Sequence, residues 1–324
     1  MFARCKDDDI PPKTTDTQSG FYTVNEGNFQ QGNSSFGFFN TQSNEYSKDV
    51  FFEKNEIPIG DVFQSVAIIN GDYWLVVNNS GKIWIVDTSS LKIKNSIEGF
   101  VSPRYAISSG NKVFVSDLYA DKIYVVDINK MSISATISID GWTDDMLVSN
   151  EVLWVANREK PYLYLIDIEK LSITDSIKIG NNTNSICKFK NDDLGVLCEG
   201  KLGSSEKAAF YVIKNGTKTA VLVHEFANAE KPIRLQQSAV DNRIYMAFKG
   251  IYSFSSADYS FIKKELDLPE SNIYGFDIHP KTGDFILSDA KDFVNRSEVS
   301  IYTSTFDFKR HFDAGVLCNK FIFK

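Results

Sequence analysis

Short runs that are apolar at nearly every position recur along the chain, three of them closed by aspartate: Lys82-Ile83-Trp84-Ile85-Val86-Asp87, Lys122-Ile123-Tyr124-Val125-Val126-Asp127 and Tyr162-Leu163-Tyr164-Leu165-Ile166-Asp167. The closing aspartates fall 40 residues apart. Weaker copies follow at 209–214, 251–255 and 299–303, and one precedes at 36–40, making seven. Upstream of each strong copy lies a second apolar run, such as Leu153-Trp154-Val155-Ala156-Asn157. Before that comes a further strand, such as Ser65 to Ile69, ending in a turn of Asn and Gly. Downstream the pattern changes. Met131, Ile133, Ala135, Ile137 and Ile139 alternate with Ser132, Ser134, Thr136 and Ser138, the mark of a strand with one face in water. Middle strands that are apolar on both sides need cover on both sides, and radially packed sheets provide it. The pattern predicts an all-β chain: a seven-bladed β-propeller with four-stranded blades over residues 19–324.

The two ends of the array fit each other. The first blade, starting at Phe21, lacks an innermost strand, whereas Val316 to Phe323 is one strand too many. A ring closed by the C-terminal strand pairs both otherwise open edges.

Composition supports a large β core, with 43% apolar residues, 13% aromatic residues, 25 Phe and 14 Tyr among 324 residues. A net charge of −7 without a basic, aromatic-interleaved patch excludes a phosphate-tracking nucleic-acid surface. No apolar run approaches the roughly 18 residues of a membrane-spanning helix. Residues 1–18 differ from the rest: Cys5 is followed by Lys6, Asp7, Asp8 and Asp9, then by a Pro/Thr/Ser-rich stretch that reads as a flexible tether. Cys187, Cys198 and Cys318 lie in apolar strands and are expected as buried thiols. Because Cys187 and Cys198 flank the turn at Asn191-Asp192-Asp193, a cross-strand disulfide is the alternative for them.

In such a ring, the loops from second to third strand and from outer strand to next inner strand share one face around the central channel. The ends of the second strands place Asn78, Asp117, Asn157, Glu199 and Asp289 there, and the starts of the inner strands add Gln64, Arg104, Asp145, Asn184 and Arg234. Tyr119, Trp142, Phe63, Phe100 and Phe293 stand nearby. Polar groups with large aromatics around a cavity suit a bulky amphipathic ligand, and the ligand-binding set is Arg104, Asp117, Tyr119, Trp142, Asp145, Asn157, Glu199, Arg234 and Asp289. The competing reading for Asn78, Asp117 and Asn157 is that they cap turns. Longer loops at Glu26 to Ser35, Glu199 to Lys207 and Asp289 to Glu298 make the rim uneven.

Catalytic patterns are sparse. His224, His279 and His311 fall in different blades and are expected at the surface, so they form neither a metal motif nor a nucleophilic triad. Asp144-Asp145 and Asp192-Asp193 are of a type that holds Ca²⁺, but as loop acids they are expected to be solvated. A propeller lyase or lactonase would have to use Asp117, Asp145, Glu199 and Asp289, which are widely dispersed. The expectation is a protein that is not an enzyme and has no metal or cofactor.

The unit of two apolar strands, the second running Lys-Ile-aromatic-Val-Val-Asp, resembles YncE-like, surface-layer-type seven-bladed propellers over nearly the whole chain after the tether. The start Cys5-Lys6-Asp7-Asp8-Asp9 resembles the mature end of a Bacteroidetes surface lipoprotein, although Arg4 stands where a small residue is usual. Together these features are similar to the BtuG-type cobalamin-binding lipoproteins. The resemblance implies lipidation at Cys5, an outer-membrane, cell-surface location with a periplasmic face as the alternative, and no other membrane contact. It further implies capture of a small molecule, a corrinoid, for a TonB-dependent outer-membrane transporter. The alternative function is an adhesion or scaffold propeller that binds protein or glycan by the same face.

Overall fold

The computed structural model describes residues 19–324 except Leu202 and Ala229, so Cys5 and the tether lie outside the described residues. Seven four-stranded antiparallel sheets form the molecule, and each is built from consecutive strands except the first. In blade one the C-terminal strand Cys318–Phe323 takes the innermost place, followed by Gly20–Asn25, Ser35–Asn40 and Tyr46–Ser47. Its register runs antiparallel, with Phe21 opposite Phe323 and Thr23 opposite Phe321, as ring closure by the C-terminal strand requires. The other inner strands are Phe63–Ile69, Pro103–Ser109, Thr143–Ser149, Thr183–Lys188, Ile233–Gln237 and Ile273–Ile278, each touching the next around the channel.

The hydrophobic core is divided into seven clusters, one at each blade interface. Strand pleating explains the unbroken apolar runs. In the second strand of blade two, Tyr73, Leu75 and Val77 pack toward blade one, whereas Trp74 and Val76 pack toward blade three. The seam between blades seven and one is rich in phenyl rings: Phe39 stacks on Phe312 at 4.3 Å between centroids, and Phe21 meets Phe321 edge to face at 5.6 Å.

Two details depart from the sequence reading, and a third decides between its alternatives. Blade one has an outer strand of only two residues, and a short helix, Val50–Asn55, follows it in a chain read as all-β. Asp49 caps that helix by accepting the Phe52 amide at 3.1 Å, and Phe51 completes the core between blades one and two. Cys187 and Cys198 are free thiols: they oppose Gly195 and Thr183, not each other, so no cross-strand bridge forms. His224 and His279 are half-buried instead of lying at the surface, His224 among Phe226, Phe254 and Phe261 and His279 against Phe323, whereas His311 is exposed.

Candidate ligand site at the mouth of the channel

One local device repeats around the channel. In all seven blades the pairing of inner and second strands slips by one residue near the start of the inner strand. A bulge of this kind re-aims a side chain that the pleat would otherwise turn into a blade interface. Gln64, Arg104, Asp144, Asn184, Arg234, Tyr274 and Asn319 sit at these slips, and all seven line one cavity of about 220 Å³ at the channel mouth. A second tier comes from the residue just after the second strand, whose amide in six of the seven blades bonds back to the carbonyl preceding the inner strand, as in Arg158 to Trp142 (2.9 Å), Glu199 to Asn182 (3.0 Å) and Glu26 to Leu317 (3.0 Å). Those three charged residues, with Tyr105, Ile233 and Ile273, complete the lining.

The charges are tied together. Asp144, nearly inaccessible to solvent, accepts from Arg104 Nε at 3.1 Å and from Arg158 Nη1 at 3.2 Å, and Arg158 Nη2 reaches Glu199 at 2.6 Å. Asn182 and Asn184 donate to the same Glu199 carboxylate at 3.0 and 2.9 Å. Trp142 has two cations over its ring, Arg104 at 5.3 Å and Arg158 at 4.9 Å, close enough for cation–π attraction. Burial opposes the charge of Arg104, but Asp144, Tyr105 and Glu26 together outweigh it and hold the guanidinium above its ordinary range. Across the mouth, Glu26 accepts from Gln64 at 3.2 Å, from Tyr274 at 2.7 Å and from Asn319. Burial and this carboxylate push the Tyr274 phenol well above its usual range.

Deeper along the inner strands lies a cavity of about 400 Å³, lined by Asp145, Gln236, Asp277 and Lys320 among others, with Tyr105 and Arg234 common to both cavities. Here polar side chains cap the backbone of the next inner strand. Asp145 accepts the Ile186 amide at 2.8 Å, Asp277 the Phe321 amide at 2.9 Å, and Ser65 donates to the Arg104 carbonyl at 2.6 Å. Burial pushes the Asp145 carboxyl up to about 6, against the pull of the Ile186 amide.

The structure therefore divides the predicted set. Arg104, Glu199 and Arg234 meet at the mouth, Trp142 supports two of its arginines, and Asp145 lies in the deeper cavity. Asp117 accepts amides from Ser102, Tyr119 and Ala120, Asn157 from Glu159 and Lys160, and Asp289 from Asn272 and Lys291, so these three close turns. Tyr119 stands on the rim with its ring in solvent, 72% exposed, as does Phe293 in blade seven. Sequence reasoning missed Glu26, Tyr105, Asp144, Arg158, Tyr274 and Asn319 as lining residues. Part of the signal was present, because Gln64, Arg104, Asp144 and Asn184 follow one another at steps of 40 residues.

Comparisons with solved structures find the same fold. A quinonprotein alcohol dehydrogenase-like protein from Bacteroides thetaiotaomicron matches with a TM-score of 0.74 at 17% identity, over 94% of this chain and 78% of that one. A putative 6-phosphogluconolactonase from Bacteroides fragilis matches at 0.72 and 12% identity, over 97% and 100% of the two chains. A functionally unknown protein from Desulfotomaculum acetoxidans matches at 0.70 and 13%, over 94% and 99%. At such identities the likeness concerns the fold alone. No curated protein matches the chain. A family model described as a domain of unknown function, DUF5074, matches residues 19–311, nearly the whole propeller, and the chain belongs to that family.

Proposed function

We propose that this is a non-catalytic binding propeller that captures a small molecule on the face of the channel mouth. The observation that carries the reading is the convergence of seven bulged residues, Arg104 and Arg234 among them, and of Arg158 on one small polar cavity. Binding is favoured over catalysis because the acids there are engaged: Asp144 is shared by two arginines, and Glu199 accepts from Arg158, Asn182 and Asn184. Two of the acids open to a catalytic reading, Asp117 and Asp289, hold turns instead.

The exposed rim sets the ligand's outer shape. Tyr119, Phe29 (62% exposed), Phe293 and Val101 stand on loops of the mouth face, around a cavity smaller than the ~300 Å³ at which drug-sized pockets begin. A large flat ligand thus rests on the rim and inserts only a polar arm. A corrinoid has this form, with a macrocycle fringed by amides and a nucleotide arm, and it is the ligand proposed here. In the same proposal, lipidated Cys5 anchors the propeller at the outer-membrane surface, where it hands the ligand to a TonB-dependent transporter. Support for that part is the Cys5-Lys6-Asp7-Asp8-Asp9 pattern.

Titration calorimetry with cyanocobalamin tests the ligand. Saturable heat and a raised Tm are expected, with weaker binding by Trp142→Ala. Absence of both would remove the corrinoid, and selective retention on an oligosaccharide array would move the reading to a glycan stacked on the same aromatics.

A further inference from the structure

Arg104 and Arg158 are matched by Asp144 and Glu199, two cations facing two carboxylates. Arg234 is different. Among the described residues no carboxylate lies within ion-pair distance of it, and its single hydrogen bond runs to the Asn319 carbonyl at 3.1 Å. A guanidinium carries five N–H donors, so most of its capacity is turned to the channel, where it borders both cavities. Burial works against its charge, yet Tyr105 and the more distant Asp277, Asp145 and Glu26 together keep it charged. Arg234 is also the only one of the seven bulge residues with a left-handed backbone, at φ 58°. An L-residue adopts that conformation only at a cost in backbone energy, and here it fixes where the side chain starts.

We propose that Arg234 is the docking point for one negative charge on the ligand, a carboxylate or a phosphodiester seated between the two cavities. This rests on the reading of the mouth as a ligand site and adds the chemistry of the group that enters it. A planar guanidinium fork matches two oxygens of a monoanion in a bidentate pair. The surroundings set the limit of one charge. Glu26, Asp144, Asp145 and Asp277 line the same two cavities, so a phosphate dianion meets repulsion from several sides. A neutral amide offers one acceptor and leaves the cation unmatched.

The arginine Nε–H resonances of the full chain read this directly, with the Arg234 signal identified by its loss in Arg234→Lys. Acetate and dimethyl phosphate are each expected to shift that signal saturably, about tenfold more tightly than acetamide, consistent with a charge-assisted bond. Whichever of the two binds more tightly identifies the source of the charge. No response to either anion, or tighter binding of inorganic phosphate at about pH 8, would overturn the inference. Cyanocobalamin separates it from the preceding reading. If wild type and a folded Arg234→Gln bind the corrinoid equally, the inference fails and the corrinoid stands. If the anions titrate Arg234 and the corrinoid gives no heat, the ligand fails and the inference stands.

Discussion

At the scale of single residues, the mouth is held by a carboxylate with almost no access to water. Asp144 joins Arg104 to Arg158, and both arginines lie over Trp142. Removing one partner from a buried ionic group leaves charge without compensation, which typically costs 3–5 kcal/mol. Asp144→Asn is accordingly expected to lower stability by about 3 kcal/mol or more by urea unfolding, whereas Glu199→Gln, at a more exposed carboxylate paired with one arginine instead of two, costs less. Asp145, its neighbour in sequence, behaves in the opposite way. Its carboxyl rises from 3.8 to about 6 on folding, so the folded protein holds that proton more tightly than the unfolded chain does. The contribution to stability is full below the unfolded value and is lost as pH rises through about 6. The shift sets an upper bound of about 3 kcal/mol, reduced by water in the channel. Asp145→Asn should therefore be more stable than wild type at pH 7 and close to it near pH 4. A difference that does not change with pH would exclude this account.

At the scale of strands and turns, one residue of offset separates structural side chains from those that face the mouth. The last residue of a second strand, Asp117 or Asn157, folds back on its own turn, and the next residue, as in Arg158, Glu199 and Glu26, enters the mouth. This offset is why the site was only partly legible. The 40-residue period runs through Gln64, Arg104, Asp144 and Asn184, but with two aspartates side by side the pattern of apolar positions does not show which one the bulge turns to the mouth, so Asp145 is read there where Asp144 stands. Glu26, Tyr274 and Asn319 lie outside the regular stretch, where unequal loops remove the period. The strands themselves were legible because their two-sided apolar runs have no stable home except between two neighbouring blades. The helix at Val50–Asn55 was not, since it lies between the outer strand of blade one and the inner strand of blade two and follows no repeat. The turn role of the strand-end acids carries its own expectation. Asp117 is fully buried and satisfies three amides, one of them Ser102 at 2.7 Å from the loop leading into its own blade. Asp117→Ala should cost about 3 kcal/mol in thermal or urea unfolding. Asp127→Ala, which removes a similar cap from an exposed turn, should cost a small fraction of that.

At the scale of the whole molecule, the ring is joined inside a blade and not between blades. The C-terminal strand pairs with Gly20–Asn25 through backbone hydrogen bonds, and the Lys324 amide reaches the Gly20 carbonyl at 3.1 Å. Bringing the ends of a chain of this length together costs about 5 kcal/mol by loop-closure entropy, so the last contact made must be a strong one. Strand pairing combined with burial of Phe21, Phe321 and Cys318 is stronger than side-chain packing between blades alone. The same strand brings Asn319 to Glu26 and to the Gln64 carbonyl, so closure and assembly of the mouth are one event. A permuted chain separates the two contributions. Starting at Leu317 and joining Lys324 to Ser19 through a short Gly/Ser linker keeps every strand and every mouth residue. It makes blade one continuous and leaves the seam with blade seven to Phe39, Phe312 and their neighbours. That protein is expected to fold with the same far-ultraviolet spectrum, to unfold at a lower urea concentration, and to exchange the amides of Gly20–Asn25 and Arg296–Tyr302 faster than wild type. Equal urea midpoints and equal exchange would show that packing between blades closes the ring unaided and that the position of the C-terminal strand serves the mouth alone.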